Sequence, residues 1–264
     1  MKTFLLAGSL LALSSFAWGE VGVSVAGVQV VAKEYQEEGS KEELRAFNWS
    51  PGLNIALLLK SDDKAIVGFD KEKSSLSRFG DDKGQDFLKL EKRFSDRAFS
   101  FGMEQESESR KALMTTLESD ALPASGATRI TLAGELVLSL ASKSELKKSE
   151  KAAVKKGQKL VVAGETFTIK DAEKPEWGEG KLEITLESSV DLKSFRRVVF
   201  YGADGKELES ERGMWSSMGM FGKKTYQTSY RFKVKPEELV MGLDVWTDLE
   251  VVKVPVDLKI GVGL

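Results

Sequence analysis

Alternation of apolar and polar residues at a period of two constrains the fold of this chain more than any other feature. Val21, Val23 and Val25 open the pattern, and Leu53, Ile55, Leu57 and Leu59 repeat it. Ile130 and Leu132 continue past Gly134 to Leu136, Leu138 and Leu140. Leu182, Ile184 and Leu186 follow, then Tyr230, Phe232 and Val234, and finally Val252, Val254, Val256 and Leu258. Successive side chains of a strand point to opposite faces, so each run reads as a half-buried strand of an antiparallel sheet. Val28 and Val30 take up the opposite register, which places a bulge or bend at Ala26-Gly27. Turn signals fall between the runs at Pro51-Gly52, Asp82-Lys83-Gly84 and Asp204-Gly205. The expected class is all-β, with two antiparallel β-sandwich domains.

Helical signals are few. Ser40 and Glu43 have capping-box spacing, which predicts a short helix over 40–47. Leu113, Leu117 and Ala121 stand four apart and allow a second over 109–121. A third candidate, 142–159, has sparse apolar residues and is interrupted by Gly157. The small, turn-prone stretch Pro123-Ala124-Ser125-Gly126 is the best boundary, giving a first domain at 20–122 and a second at 126–264.

Residues 1–19 have the layout of a secretory signal peptide: Lys2, an apolar run from Phe4 to Ala17, then Trp18-Gly19. The run is shorter than the roughly 20 residues that span a bilayer, and no later segment is a transmembrane candidate. The expected location is therefore outside the cytoplasm, periplasmic or extracellular at the cell surface. The 39 Lys and Arg against 41 Asp and Glu give a net charge of −2, and losing Lys2 with the leader makes it −3. That balance gives no general attraction to nucleic acid. With no Cys in the chain, the fold must hold by sheet packing alone, and an exported chain without disulfides fits a bacterial envelope.

The strand count and turn spacing resemble the immunoglobulin-like and fibronectin-III-like modules of exported bacterial proteins, including two-domain secreted β-sandwich proteins of no assigned activity. The diagnostic Cys-Trp-Cys set of antibody domains is absent. The resemblance implies an immunoglobulin-like fold and no activity.

The absence of both His and Cys removes Ser-His-Asp and Cys-His triads and thiolate metal sites. Phosphate-cradling and dinucleotide-binding Gly motifs are missing as well. A carboxylate-based hydrolase is the catalytic option that composition leaves open. No cofactor is called for, and calcium is the one metal suggested. The turn Asp81-Asp82-Lys83-Gly84-Gln85-Asp86 gathers three carboxylates, Asp81, Asp82 and Asp86, whose oxygens suit a weak calcium site. The bland alternative is a hydrophilic β-turn in which Asp caps the backbone and Gly takes positive φ.

Seven Lys lie in 142–159 against Glu145 and Glu150, a basic segment suited to an anionic surface or simply to solvent. The stretch 213–222 carries Met214, Trp215, Met218, Met220 and Phe221 between glycines. Thioether and aromatic side chains on a mobile loop make an adaptable apolar contact surface, and these five residues are the candidate partner-binding site. The alternative is a long hairpin whose tip folds back to cover one end of the sandwich. The expected role is non-catalytic binding or structural support in the bacterial envelope, with an envelope protein or polysaccharide as partner. The rival is a calcium-dependent carbohydrate-binding module or an accessory protein of a polysaccharide-processing system.

Overall fold

The computed structural model describes residues 21–31, 35–36, 43–44, 51–89, 99–220 and 223–262. Residues 1–20, which include the expected signal peptide, and Phe221 of the candidate partner site lie outside the described residues. The described chain is all-β and antiparallel, with no α-helix. Its strands are β1 (Val21–Val31), β2 (Tyr35–Gln36), β3 (Glu43–Leu44), β4 (Gly52–Ser61), β5 (Ala65–Asp81), β6 (Ser100–Glu106), β7 (Ala112–Ser119) and β8 (Arg129–Ala141). There follow β9 (Ser144–Lys148), β10 (Ala152–Ala153), β11 (Lys159–Val162), β12 (Glu165–Glu173), β13 (Leu182–Ser188), β14 (Arg197–Tyr201) and β15 (Glu207–Leu208). The last are β16 (Ser210–Met220), β17 (Lys223–Phe232), β18 (Glu238–Trp246) and β19 (Glu250–Gly261).

The chain divides into two compact units, but not at Pro123. Unit 1 is Met1–Leu140 with Glu250–Leu264, and unit 2 is Ala141–Leu249. The reason is the pairing of β8 with β19, which runs unbroken from Arg129↔Gly261 to Leu140↔Glu250. Those neighbouring strands belong to one sheet, and unit 2 occupies the connection between them. The turn at 125–126 is real, with Gly126 at φ 74°, but it leads into β8 within unit 1.

In unit 1, β1-β4-β7-β6 form one sheet and β19-β8-β5 another, and β2 pairs with β3. The inward positions of both sheets meet in a single apolar core: Leu53, Ile55, Leu57 and Leu59 from β4, Leu136, Leu138 and Leu140 from β8, Val254 and Val256 from β19. Burying each such side chain contributes about 1.5–3 kcal/mol, so these alternating runs drive the fold. The bulge expected in β1 is present between Val25 and Gly27.

The helix expected over 109–121 is instead β7. Leu113, Thr115, Leu117 and Ser119 are buried in strict alternation. A spacing of four satisfies both a helix turn and a period of two, and pairing with β4 and β6 selects the strand. Most of 40–47 lies outside the described residues, while Glu43 and Leu44 pair as strand with Gln36 and Tyr35. The segment 142–159 forms β9, β10 and the start of β11.

In unit 2, β11-β12-β13-β17-β16 form one five-stranded sheet. The other follows β10-β18-β14-β15, with β9 also on β18. Phe167, Ile169, Ile184, Leu186 and Phe232 from the first sheet pack with Phe200, Leu239, Met241 and Leu243 from the second. Phe200 stands edge-on to Tyr230 at 4.9 Å and to Phe232 at 5.2 Å, so aromatic contacts join the two sheets.

Candidate functional site

The methionine-rich stretch is a strand, not a mobile loop. β16 pairs with β17 from Ser210↔Phe232 to Met220↔Lys223, and residues 221 and 222 are outside the described set. The register shifts once: Arg212 faces Tyr230 and Trp215 faces Thr228, so Gly213 and Met214 together oppose Ser229. The Met214 N–H donates to the Ser229 hydroxyl at 2.9 Å. That buried hydroxyl fills the widened ladder, and a Cβ on Gly213 would collide with it. Gly213 is thus a bulge residue rather than a hinge.

The bulge separates the residues that sequence reasoning grouped together. Past it, Trp215 lies opposite Thr228 and Ser217 opposite Tyr226, whereas Met218 lies opposite Thr225. Directly opposed residues share a face and successive ones alternate, so Trp215 and Met218 occupy opposite faces of the ribbon. Trp215 shares the face of the core residue Tyr230 and is tied down there. Its Nε1–H donates to Asp191 Oδ1 at 3.1 Å, and Lys193 Nζ stands 4.0 Å from the ring centroid. Asp191 also caps the 3-10 turn Leu192–Ser194 by accepting the Lys193 N–H. Met214 and Met218 remain 61% and 69% exposed, against 38% for Trp215. Met220 ends the ladder.

Among the described residues, β16 is an edge strand, with β17 as its one partner in the sheet. Residues 213–220 carry no charge and no proline, the usual guards of a free edge. This makes a ready template for an additional strand.

The acidic turn does not converge on a common point. Asp81 Oδ1 accepts the Lys83 and Gln85 N–H groups at 2.9 Å each, and its Oδ2 accepts the Ala124 N–H at 2.7 Å. Asp82 turns instead to Thr128, accepting its hydroxyl at 2.6 Å and its N–H at 3.0 Å, with Arg129 N–H at 3.3 Å. These bonds hold its carboxyl at about 2, well below the usual carboxylate range. Asp86 caps the Leu88 N–H and pairs with Lys89 at 3.3 Å. Gly84 takes φ 97°, as a tight turn requires. Among the described residues, no group of three or more Asp and Glu is placed to hold a metal ion. The carboxylates of the turn serve its own backbone and the segment leading into β8.

The same clamp recurs where sequence reasoning did not look. Asp248 accepts the Ser142 hydroxyl at 2.6 Å and the Ser142 and Lys143 N–H groups at 3.0 and 2.8 Å, and its carboxyl too is lowered to about 2. The available signal was the repeated hydroxyl-cation pair, Thr128-Arg129 at the start of β8 and Ser142-Lys143 just after its end. The lysines of 142–159 do not form one patch. Lys147 pairs with Glu145, Lys151 with Glu238 and Lys156 with Asp171, while Lys148 lies over the Tyr201 ring. Trp177 is 78% exposed on the β12–β13 connection.

No family model, curated protein or solved structure matches the chain. The class defined by the fold is an all-β antiparallel protein of two units.

Proposed function

We propose that this is an exported, non-catalytic binding or structural protein of the bacterial envelope, and that it holds an envelope partner along the free edge of β16. The observation that carries this reading is the uncharged edge from Gly213 to Met220, flanked on its open face by exposed Met214 and Met218. Such an edge offers main-chain hydrogen bonds for affinity and flexible thioethers for fit. The layout of residues 1–19 supports export.

Asp82 and Asp248 fall to about 2, Asp70, Glu187 and Asp204 are lowered, Lys73 and Lys233 are raised, and burial pushes Tyr230 up to about 12. Each of these shifts follows from a local hydrogen bond, an ion pair or burial. A calcium-dependent reading finds no support in a turn whose carboxylates already accept backbone donors.

The test is capture from an envelope extract by the chain lacking residues 1–19, compared with its Met214→Lys/Met218→Lys variant. Both positions are exposed, so stability should change by less than about 0.5 kcal/mol per site. The proposal expects a captured partner that the variant loses at unchanged Tm. Equal capture by the two proteins would overturn it.

A further inference from the structure

The outer face of the β5-β8-β19 sheet in unit 1 carries an open hollow of about 690 Å³, in the size range of small-ligand sites. Its floor exists because two successive residues of β8 are small. Ala133 is the outward residue between Thr131 and Glu135, and Gly134 lets the backbone of β5 approach closely. A Cβ on Gly134 would meet the Ser75 carbonyl oxygen and the Leu76 Cα well inside van der Waals contact.

The walls follow from register and from an irregularity in β5. Across β8 and β19, Thr131 faces Lys259, Ala133 faces Asp257 and Glu135 faces Pro255. Along β5, Leu76 packs on the core and Phe79 is buried, so Ser77 and Arg78 between them are both exposed. Ser75, Ser77 and Arg78 all line the hollow, and the Ser77 hydroxyl also lies 3.4 Å from the Ala133 carbonyl oxygen.

The charges are not balanced internally. Glu135 is satisfied by Lys253 at 3.1 Å. Arg78, Lys259 and Asp257 form no ion pair among the described residues, although all three line the hollow. The lining therefore offers a planar fork of donors, an ammonium, one carboxylate with no ion pair among the described residues, and small hydroxyls. A carboxylate ligand matches Arg78 bidentately, and vicinal hydroxyls match an Asp acceptor and Ser or Thr groups. A carboxylated sugar presents both at once.

We propose that this hollow binds a carboxylated saccharide, with Arg78 and Lys259 on the carboxylate and Asp257 on the sugar hydroxyls. The site is independent of the β16 edge and adds a ligand class to the protein.

Native-gel affinity electrophoresis of the chain lacking residues 1–19 tests it, with polygalacturonate or neutral dextran cast into the gel. Retardation by polygalacturonate and none by dextran is expected. Arg78→Ala/Lys259→Ala should weaken it by about tenfold or more. Ala133→Phe, which fills the floor from the solvent side, should do the same. Lys155→Ala/Lys159→Ala removes equal charge from exposed positions of unit 2 and should leave retardation unchanged. No retardation, equal retardation by dextran, or equal loss in the two charge variants would overturn the proposal. Should Ala133→Phe lower the Tm, the two charge variants alone decide. Met214→Lys/Met218→Lys should not alter retardation, which keeps this test separate from that of the β16 edge.

Discussion

Asp248 and Ser142 meet where the chain passes into and out of unit 2, three hydrogen bonds joining the Asp248 carboxylate to the Ser142 hydroxyl and to the N–H groups of Ser142 and Lys143. The Thr247 N–H returns a bond to the Lys143 carbonyl at 3.0 Å. Asp82 makes the same set of bonds to Thr128 and Arg129, with its own N–H donating to the Arg129 carbonyl at 3.0 Å. One motif thus secures the start of β8 and the residues just after its end. The strand is held at each end by a carboxylate from a segment that is distant in sequence.

Removing the Asp248 carboxylate should release the N–H groups it holds. In Asp248→Ala, the Ser142 and Lys143 amides are expected to exchange with deuterium markedly faster, while amides of β13 and β14 keep their protection. Asp248→Asn, which retains one acceptor oxygen, should fall between. Unchanged protection at 142 and 143 would show that the clamp is dispensable.

The two clamps also set an acid limit. Asp82 and Asp248 have folded values near 2, below the 3.8 of an unperturbed Asp, so folding favours their charged forms. A depressed folded value gives a contribution that is complete above the unfolded value and is lost as pH falls through the folded one. Urea unfolding should therefore show stability falling between about pH 4 and pH 2. Asp82→Asn/Asp248→Asn should be the less stable protein at pH 6, and its deficit should shrink toward pH 2. A constant deficit across that range would rule out the carboxylates as its source.

Much of the strand content was legible because burial follows parity. Leu53 to Leu59 and Leu182 to Leu186 read as strands on period alone, and the bulge after Val25 showed as a change of parity. Partner choice was not legible. Alternation marks which face of β8 is buried, but it carries no sign that Leu140 pairs with Glu250, and so the nested division was missed. Leu113, Leu117 and Ala121 misled because a spacing of four fits both periods. At the candidate site, composition picked out the Met- and Trp-rich stretch but read it as a mobile loop, and the face of each residue depended on a bulge set by the buried Ser229. The Asp clamps stayed hidden because their partners are far apart in the chain.

Gly213 and Ser229 should behave as a coupled pair. Gly213→Ala pushes a methyl group into the Ser229 hydroxyl and should cost about 1–3 kcal/mol, as overpacking does. Removing that hydroxyl in Ser229→Ala should recover part of the loss when the two are combined, giving a non-additive double-mutant cycle in thermal or urea unfolding. Strict additivity would mean that the bulge is not built on this contact.

Phe200→Ala should be among the most damaging single changes in unit 2. The ring is fully buried and stacked edge-on with Tyr230 and Phe232, so its loss opens a cavity and should cost about 3–5 kcal/mol. Trp177→Ala, at an exposed position, should stay within about 0.5 kcal/mol. Urea midpoints at constant m-value separate the two outcomes.

The two faces of β16 divide stability from binding. Trp215→Ala removes a hydrogen bond to Asp191 and the contact with Lys193, and it should destabilise the protein by about 1–2 kcal/mol. Met218→Ala, on the open face, should leave the urea midpoint nearly unchanged. If the β16 edge holds the partner, Met218→Lys should impair capture at native stability, whereas Asp191→Ala should lower stability, by loosening Trp215 and the 3-10 turn, without abolishing capture by the folded fraction. The reverse pattern, with capture lost in Asp191→Ala and kept in Met218→Lys, would move the contact surface to the Trp215 face.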